Sequence, residues 1–72
     1  MKSERNYPIA VVSEKAERTL KNGHVWVYGD EVGEIIGNAV DGELVDVVSK
    51  KGRFLGTGFF NSNSKIRVRI LS

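Results

Sequence analysis

The spacing of apolar and polar side chains divides the sequence into one helical segment and a series of short extended ones. Ile9 to Val12 is a β-branched run entered from Pro8 and predicts a first strand. Ser13 then offers an N-cap. Glu14 and Glu17 suit the positive end of a helix dipole, Lys21 suits its negative end, and Asn22-Gly23 supplies the stop. Ala16 and Leu20 share one face at an i, i+4 spacing, which is enough to dock a short helix and too little to build a helical core. From Val25 onward the apolar stretches shorten to strand length: Val25 to Tyr28, Glu31 to Ile36, Glu43 to Ser49, Arg53 to Phe60 and Lys65 to Leu71. Asp41-Gly42 and Lys51-Gly52 supply turn chemistry, which predicts antiparallel neighbours. Five or six short strands and one helix make a poor flat sheet, because a lone narrow sheet leaves its edges and one face open. The expected fold is therefore mostly β with one short helix (α+β), rolled into a small barrel.

Individual positions refine that expectation. Gly56 and Gly58 share a strand face with Phe54 and Phe60, so the centre of that strand is stripped of side chains, which marks a barrel corner in preference to a ligand approach. No glycine-rich strand-to-helix turn is present for a nucleotide. His24, Trp26 and Tyr28 alternate and would share a face of an extended segment. Stacking on bases is conceivable there, but the single tryptophan is expected to anchor the core. Asp30, Glu31 and Glu34 read as a hydrated acidic turn, Asn61 to Ser64 as a polar turn, and His24 has no second ligand for a metal.

The charge changes the picture most. The net value of +2 conceals nine carboxylates confined to residues 1 to 46, while residues 47 to 72 carry six cations and no acid. A like-charged block this complete suggests a polyanionic partner, nucleic acid in particular, in preference to a merely solvated basic face. Lys65, Arg67 and Arg69 alternate with Ile66, Val68 and Ile70, which predicts one apolar and one cationic face on the last strand. Such cations repel unless a neighbouring strand supplies acids or an external anion compensates them; an external anion, acids from an earlier strand, and a basic guard on a sheet edge all stay open. Lys50, Lys51 and Arg53 surround an accessible turn, where they can reach a phosphate or simply be solvated. The sequence has no cysteine and no apolar run long enough for a membrane span, and it opens on a polar stretch, so a cytoplasmic location is expected.

Four blocks then succeed one another in order: Gly23-His24-Val25-Trp26-Val27-Tyr28, Gly42-Glu43-Leu44-Val45-Asp46-Val47-Val48, Gly52-Arg53-Phe54-Leu55-Gly56-Thr57-Gly58, and, after Asn61 to Ser64, Ile66-Arg67-Val68-Arg69-Ile70-Leu71. This order resembles the N-terminal PUA domain of bacterial class I methyltransferases that modify cytosine at carbon 5 in 23S ribosomal RNA. The likeness runs from about Ile9 to Ser72, and departs from the family where Val25 and Asn63 stand in place of a usual proline.

The resemblance implies a PUA-like pseudo-barrel of five or six strands over residues 9–72, preceded by a flexible tail over residues 1–8. It also implies that the chain is a piece of a longer methyltransferase, whose S-adenosylmethionine-binding catalytic domain lies downstream. The expected role is RNA binding, with 23S rRNA as partner and Lys50, Lys51, Arg53, Lys65, Arg67, Arg69 and His24 as contact residues. The alternative is a structural or interaction barrel that packs on a catalytic domain or a partner, with homodimerisation left open. No catalytic, cofactor or metal site is expected within these residues. Attack on carbon 5 of cytosine needs a nucleophile, normally cysteine, and the sequence has none.

Overall fold

The computed structural model describes residues 7–71. It places β1 at Ile9–Val12, α1 at Glu14–Lys21, β2 at Trp26–Tyr28, a 3₁₀ turn at Gly29–Glu31, β3 at Val32–Ile36, β4 at Leu44–Ser49, β5 at Phe54–Phe60 and β6 at Ile66–Ile70. The six strands form one mixed sheet in the order β2-β6-β5-β4-β1-β3, curled into a half-barrel with α1 packed against it.

The helix forms as its capping residues predict. The Ser13 hydroxyl accepts the Ala16 amide at 3.2 Å, and Asn22 closes the helix by donating its amide to the Arg18 carbonyl. Ala16 is fully buried and Leu20 packs beside it on the core. That core is built from small side chains: Ala10, Val12, Val27, Val45, Val47 and Val68, with Phe60 as its one large member. In β4 the burial alternates strictly, so every second residue from Val45 to Ser49 faces inward. Branched side chains at that period suit a tightly curled sheet with little interior volume.

Three features differ from the sequence expectation. The neighbours are not all antiparallel: β1 lies between β3 and β4 and runs parallel to β4, with Ala10 opposite Val47. The Asp41-Gly42 turn therefore reverses the chain without joining a hairpin, because β4 returns beside β1 and not beside β3. Lys51-Gly52 does close a hairpin, between β4 and β5, with Gly52 at φ +89° donating its amide to the Ser49 carbonyl at 2.9 Å. Glu31 belongs to the 3₁₀ turn and is only 8% exposed, since its carboxylate accepts the Tyr28 amide at 3.0 Å. It is a structural acceptor and not part of a hydrated acidic turn, unlike its exposed neighbours Asp30 and Glu34.

Bulges re-aim particular side chains. The β4–β5 ladder pairs Val47 with Gly56 but Val48 with Phe54, so Leu55 is the extra residue. Phe54 consequently leaves the face it would share with Phe60 and lies exposed, while Leu55 packs against the core. Gly58 is required by its surroundings, because a Cβ there would collide with the Arg69 carbonyl and approach the Ile70 Cα at 2.8 Å. Where a barrel corner was expected, the stripped centre of β5 thus lets the β6 backbone close onto it. Of the expected N-terminal tail, residues 1–6 lie outside the described residues. Pro8 is tied to the sheet through its carbonyl, which accepts the Asp46 amide at 2.9 Å.

Candidate nucleic-acid interface

The cations of the second half do not gather on one stripe. They are distributed over three surfaces, each built by different local geometry.

At the β4–β5 hairpin tip, the buried Ser49 hydroxyl accepts the amides of Lys51 at 3.3 Å and Arg53 at 3.1 Å, and the Ser49 amide donates to the Arg53 carbonyl at 2.8 Å. These bonds occupy the backbone of the tip and leave the side chains of Lys50, Lys51 and Arg53 directed to solvent. Helix α1 runs beside the tip, and together they line a groove of about 660 Å³ that adds Arg18 and Lys21 to the three hairpin cations. Two carboxylates, Glu14 and Glu17, share the groove, and Glu17 is already engaged by Lys21 at 3.3 Å. Five cations against two acids leave a surplus of positive charge in a concave surface, where low-dielectric walls concentrate the field.

The second surface surrounds the start of β6. The ladder between β2 and β6 pairs Val27 with Val68 and Tyr28 with Ile66, so Arg67 is the bulged residue. Its side chain lies half-buried across Gly29, where even a methyl group would meet the guanidinium. One terminal nitrogen donates to the Ser62 carbonyl at 3.1 Å, whereas the buried Nε has no hydrogen-bond partner. Asp41 clasps the same 61–64 loop, accepting the Ser62 amide at 2.9 Å and hydroxyl at 3.1 Å. The Ser62 bonds, amide first, hold the Asp41 carboxyl below its usual value, and the positive charge of Arg67 adds to the effect. Lys65 and Arg67 also line a groove of about 430 Å³ with Lys15, Tyr28, Asp30 and Glu31, where the signs are mixed.

Arg69 occupies the third surface. It is exposed on the convex face of the sheet, where it pairs with Trp26 on one side and Phe59 on the other. Trp26 is 47% exposed and Phe59 46% exposed. The expectation that the single tryptophan anchors the core is therefore corrected. β2 is an edge strand that buries Val27 alone and turns Trp26 and Tyr28 outward. His24 is exposed in the α1–β2 connection, with its amide bonded to the Thr19 carbonyl at 3.1 Å.

Among the described residues, none of Lys50, Lys51, Arg53, Lys65, Arg67 and Arg69 has a carboxylate within 4.0 Å. Acids of the first half do come near two of the three surfaces, so compensation is partial and at longer range. Arg18, Lys21, Lys15 and Phe59 were missed as candidate contacts. Arg18 and Lys21 could have been found, since an i, i+3 pair of cations defines one helix face. Their meeting with the hairpin could not. Among the described residues no cluster of three potential metal ligands occurs, and no helix is long and apolar enough to cross a membrane.

A half-barrel of six short strands, plugged at one side by a single helix and carrying cations in surface grooves, defines a small, mostly β domain. The profile of the PUA-like domain family matches residues 10–72, and the chain belongs to that family. Its curated relatives include the "Ribosomal RNA large subunit methyltransferase I" of Salmonella arizonae, 37% identical over 65 residues that make up 90% of this chain. The proteins of the same name from Salmonella paratyphi B and Salmonella newport are 36% identical over 64 residues, or 89% of this chain. In each case the chain spans 16% of the relative's length.

Proposed function

We propose that this domain is an RNA-holding module of a large-subunit ribosomal RNA methyltransferase, and that it grips 23S rRNA through phosphate contacts. The observation that carries the reading is the groove between α1 and the hairpin tip, where Arg18, Lys21, Lys50, Lys51 and Arg53 outnumber two carboxylates. Phosphate contacts of this kind fix register and orientation without reading sequence. Lys65, Arg69 and His24 extend the interface beyond the groove, while Arg67 holds the 61–64 loop beside it. Methyl transfer to carbon 5 of a cytosine, and the S-adenosylmethionine it consumes, belong in this reading to a separate domain of the longer protein. The family relationship and the name of the relatives support it, as does the lack of any cysteine nucleophile in these residues.

Salt dependence tests the proposal. If three phosphates of a single-stranded RNA are neutralised, the logarithm of the affinity should fall against log salt with a slope of about −2. Fluorescence anisotropy of labelled RNA over a potassium chloride series measures it. Charge reversal of Lys50, Lys51 and Arg53 together should flatten the slope, with the circular-dichroism spectrum unchanged. A slope near zero for the unmodified protein would overturn the reading.

A second reading, a barrel that packs on another protein surface, is favoured by one observation. Tyr7, Pro8, Ile36, Val40, Leu44 and Phe59 line an open, largely apolar groove of about 740 Å³. Absence of RNA binding at low salt, together with concentration-dependent self-association, would select it.

A further inference from the structure

We propose that Trp26, Arg69 and Phe59 form a stacking platform for two bases of unpaired RNA, on a different face from the phosphate-binding groove. The proposal rests on the RNA-binding reading above and specifies the state of the RNA that it takes.

The three residues form a single cross-strand row: Trp26 on β2 opposite Arg69 on β6, and Arg69 opposite Phe59 on β5. Paired residues of adjacent strands project to the same side, so the row is contiguous on the outer face. At the usual strand spacing, the backbones of Trp26 and Phe59 stand about 9.5 Å apart, with one guanidinium between them. Both rings are nearly half exposed, although aromatic side chains of this size normally bury most of their area. Arg69 is exposed as well, and among the described residues no carboxylate lies within 4.0 Å of it.

The chemistry of such a row is specific. Each ring offers a face on which a base can stack, and the cation between them meets the phosphate that links the two nucleotides or stacks beside a base itself. An uncharged apolar partner would gain from the rings but would leave Arg69 desolvated and unpaired at the centre of the contact. A polynucleotide satisfies all three residues together. The bases must be splayed from a helix to reach the sheet, so the ligand is a loop, a bulge or a single strand and not a duplex. Aromatic residues on an open sheet serve other single-strand RNA binders in the same way. The row is also held in place from beneath. Gly58 lets β6 close onto β5, and Val27 and Val68 pair in the core directly behind it.

Trp26 is the only tryptophan, so its fluorescence reports directly on the platform. The 72-residue chain is titrated with a short oligouridylate and with an RNA duplex of similar length. The proposal expects indole quenching that saturates with the oligouridylate and not with the duplex. Trp26→Ala or Phe59→Ala should each weaken oligouridylate binding about tenfold while leaving duplex binding and the salt slope unchanged, and Trp26→Phe should restore most of the loss. RNA binding with the expected salt slope but no quenching, and no effect of Trp26→Ala, would overturn the platform and leave the phosphate groove standing. No RNA binding at all would overturn both. Quenching that follows protein concentration in the absence of RNA would assign the face to a second protein copy and overturn the platform.

Discussion

Arg67 and Arg69 stand two residues apart on one strand, are chemically identical, and have been given opposite surroundings by the fold. Arg69 sits in regular pairing between Trp26 and Phe59 and presents its guanidinium to solvent. Arg67 falls on the β6 bulge, lies across Gly29, donates to the Ser62 carbonyl and acts electrostatically on Asp41. One extra residue in the β2–β6 ladder is enough to separate a solvent-facing arginine from a structural one. The comparison shows that alternation along a strand places side chains on faces only as long as the ladder on both sides keeps its register.

Removing the crossing that holds both arginines should have the largest effect. Gly58→Val places branched side-chain atoms where the Arg69 carbonyl lies, and should cost about 3 kcal/mol or more in urea unfolding, with loss of β6 protection in hydrogen exchange. Retention of the wild-type unfolding midpoint would mean that β5 and β6 do not meet as closely as described. A smaller and opposite pair of effects should separate the arginines themselves. Arg67→Ala should lower stability by about 1 kcal/mol through loss of the Ser62 bond and the packed side-chain stem. Arg69→Ala should change stability by no more than about 0.5 kcal/mol, as for an exposed site, and weaken RNA binding instead. Equal destabilisation by the two substitutions would erase the distinction.

The smallest effect is a titration. Asp41 is held below the ordinary aspartate range by the Ser62 amide and hydroxyl, and by Arg67. A depressed folded-state value favours the native state above the unfolded value, and the contribution is lost as pH falls through the folded value. Acidification below the usual aspartate range should therefore release the 61–64 loop. In a carboxyl-carbon NMR titration the Asp41 midpoint should lie below that range, rise modestly in Arg67→Ala, and stay in place in Arg69→Ala. An Asp41 midpoint indifferent to Arg67 would remove the electrostatic half of the contrast.

Much of the local structure was legible beforehand because its causes are local. The Ser13 cap, the Asn22-Gly23 stop, the Lys51-Gly52 hairpin and the strand segments each depend on residues within a few positions of one another. The hairpin cations Lys50, Lys51 and Arg53 were legible as an accessible group for the same reason. Burial of Trp26 was misjudged because residue type carries no information about strand position, and β2 turns out to be an edge. Glu31 was misjudged because its carboxylate is consumed by the Tyr28 amide, a bond that depends on the turn between them.

The amino-acid order alone determined that the chain would fold as a rolled sheet with a single docked helix, and that residues 47–72 would carry cations and no acid. Hydrophobic period, turn chemistry and the count of charges suffice for that. Only tertiary structure decided which strand lies beside which, with β1 parallel to β4. It likewise decided that α1 would bring Arg18 and Lys21 to the hairpin, and that Arg69 would stand between two exposed rings. Those arrangements arise from contacts between residues far apart in sequence, and the free energy that selects them is burial in the shared valine core, to which no single segment commits by itself.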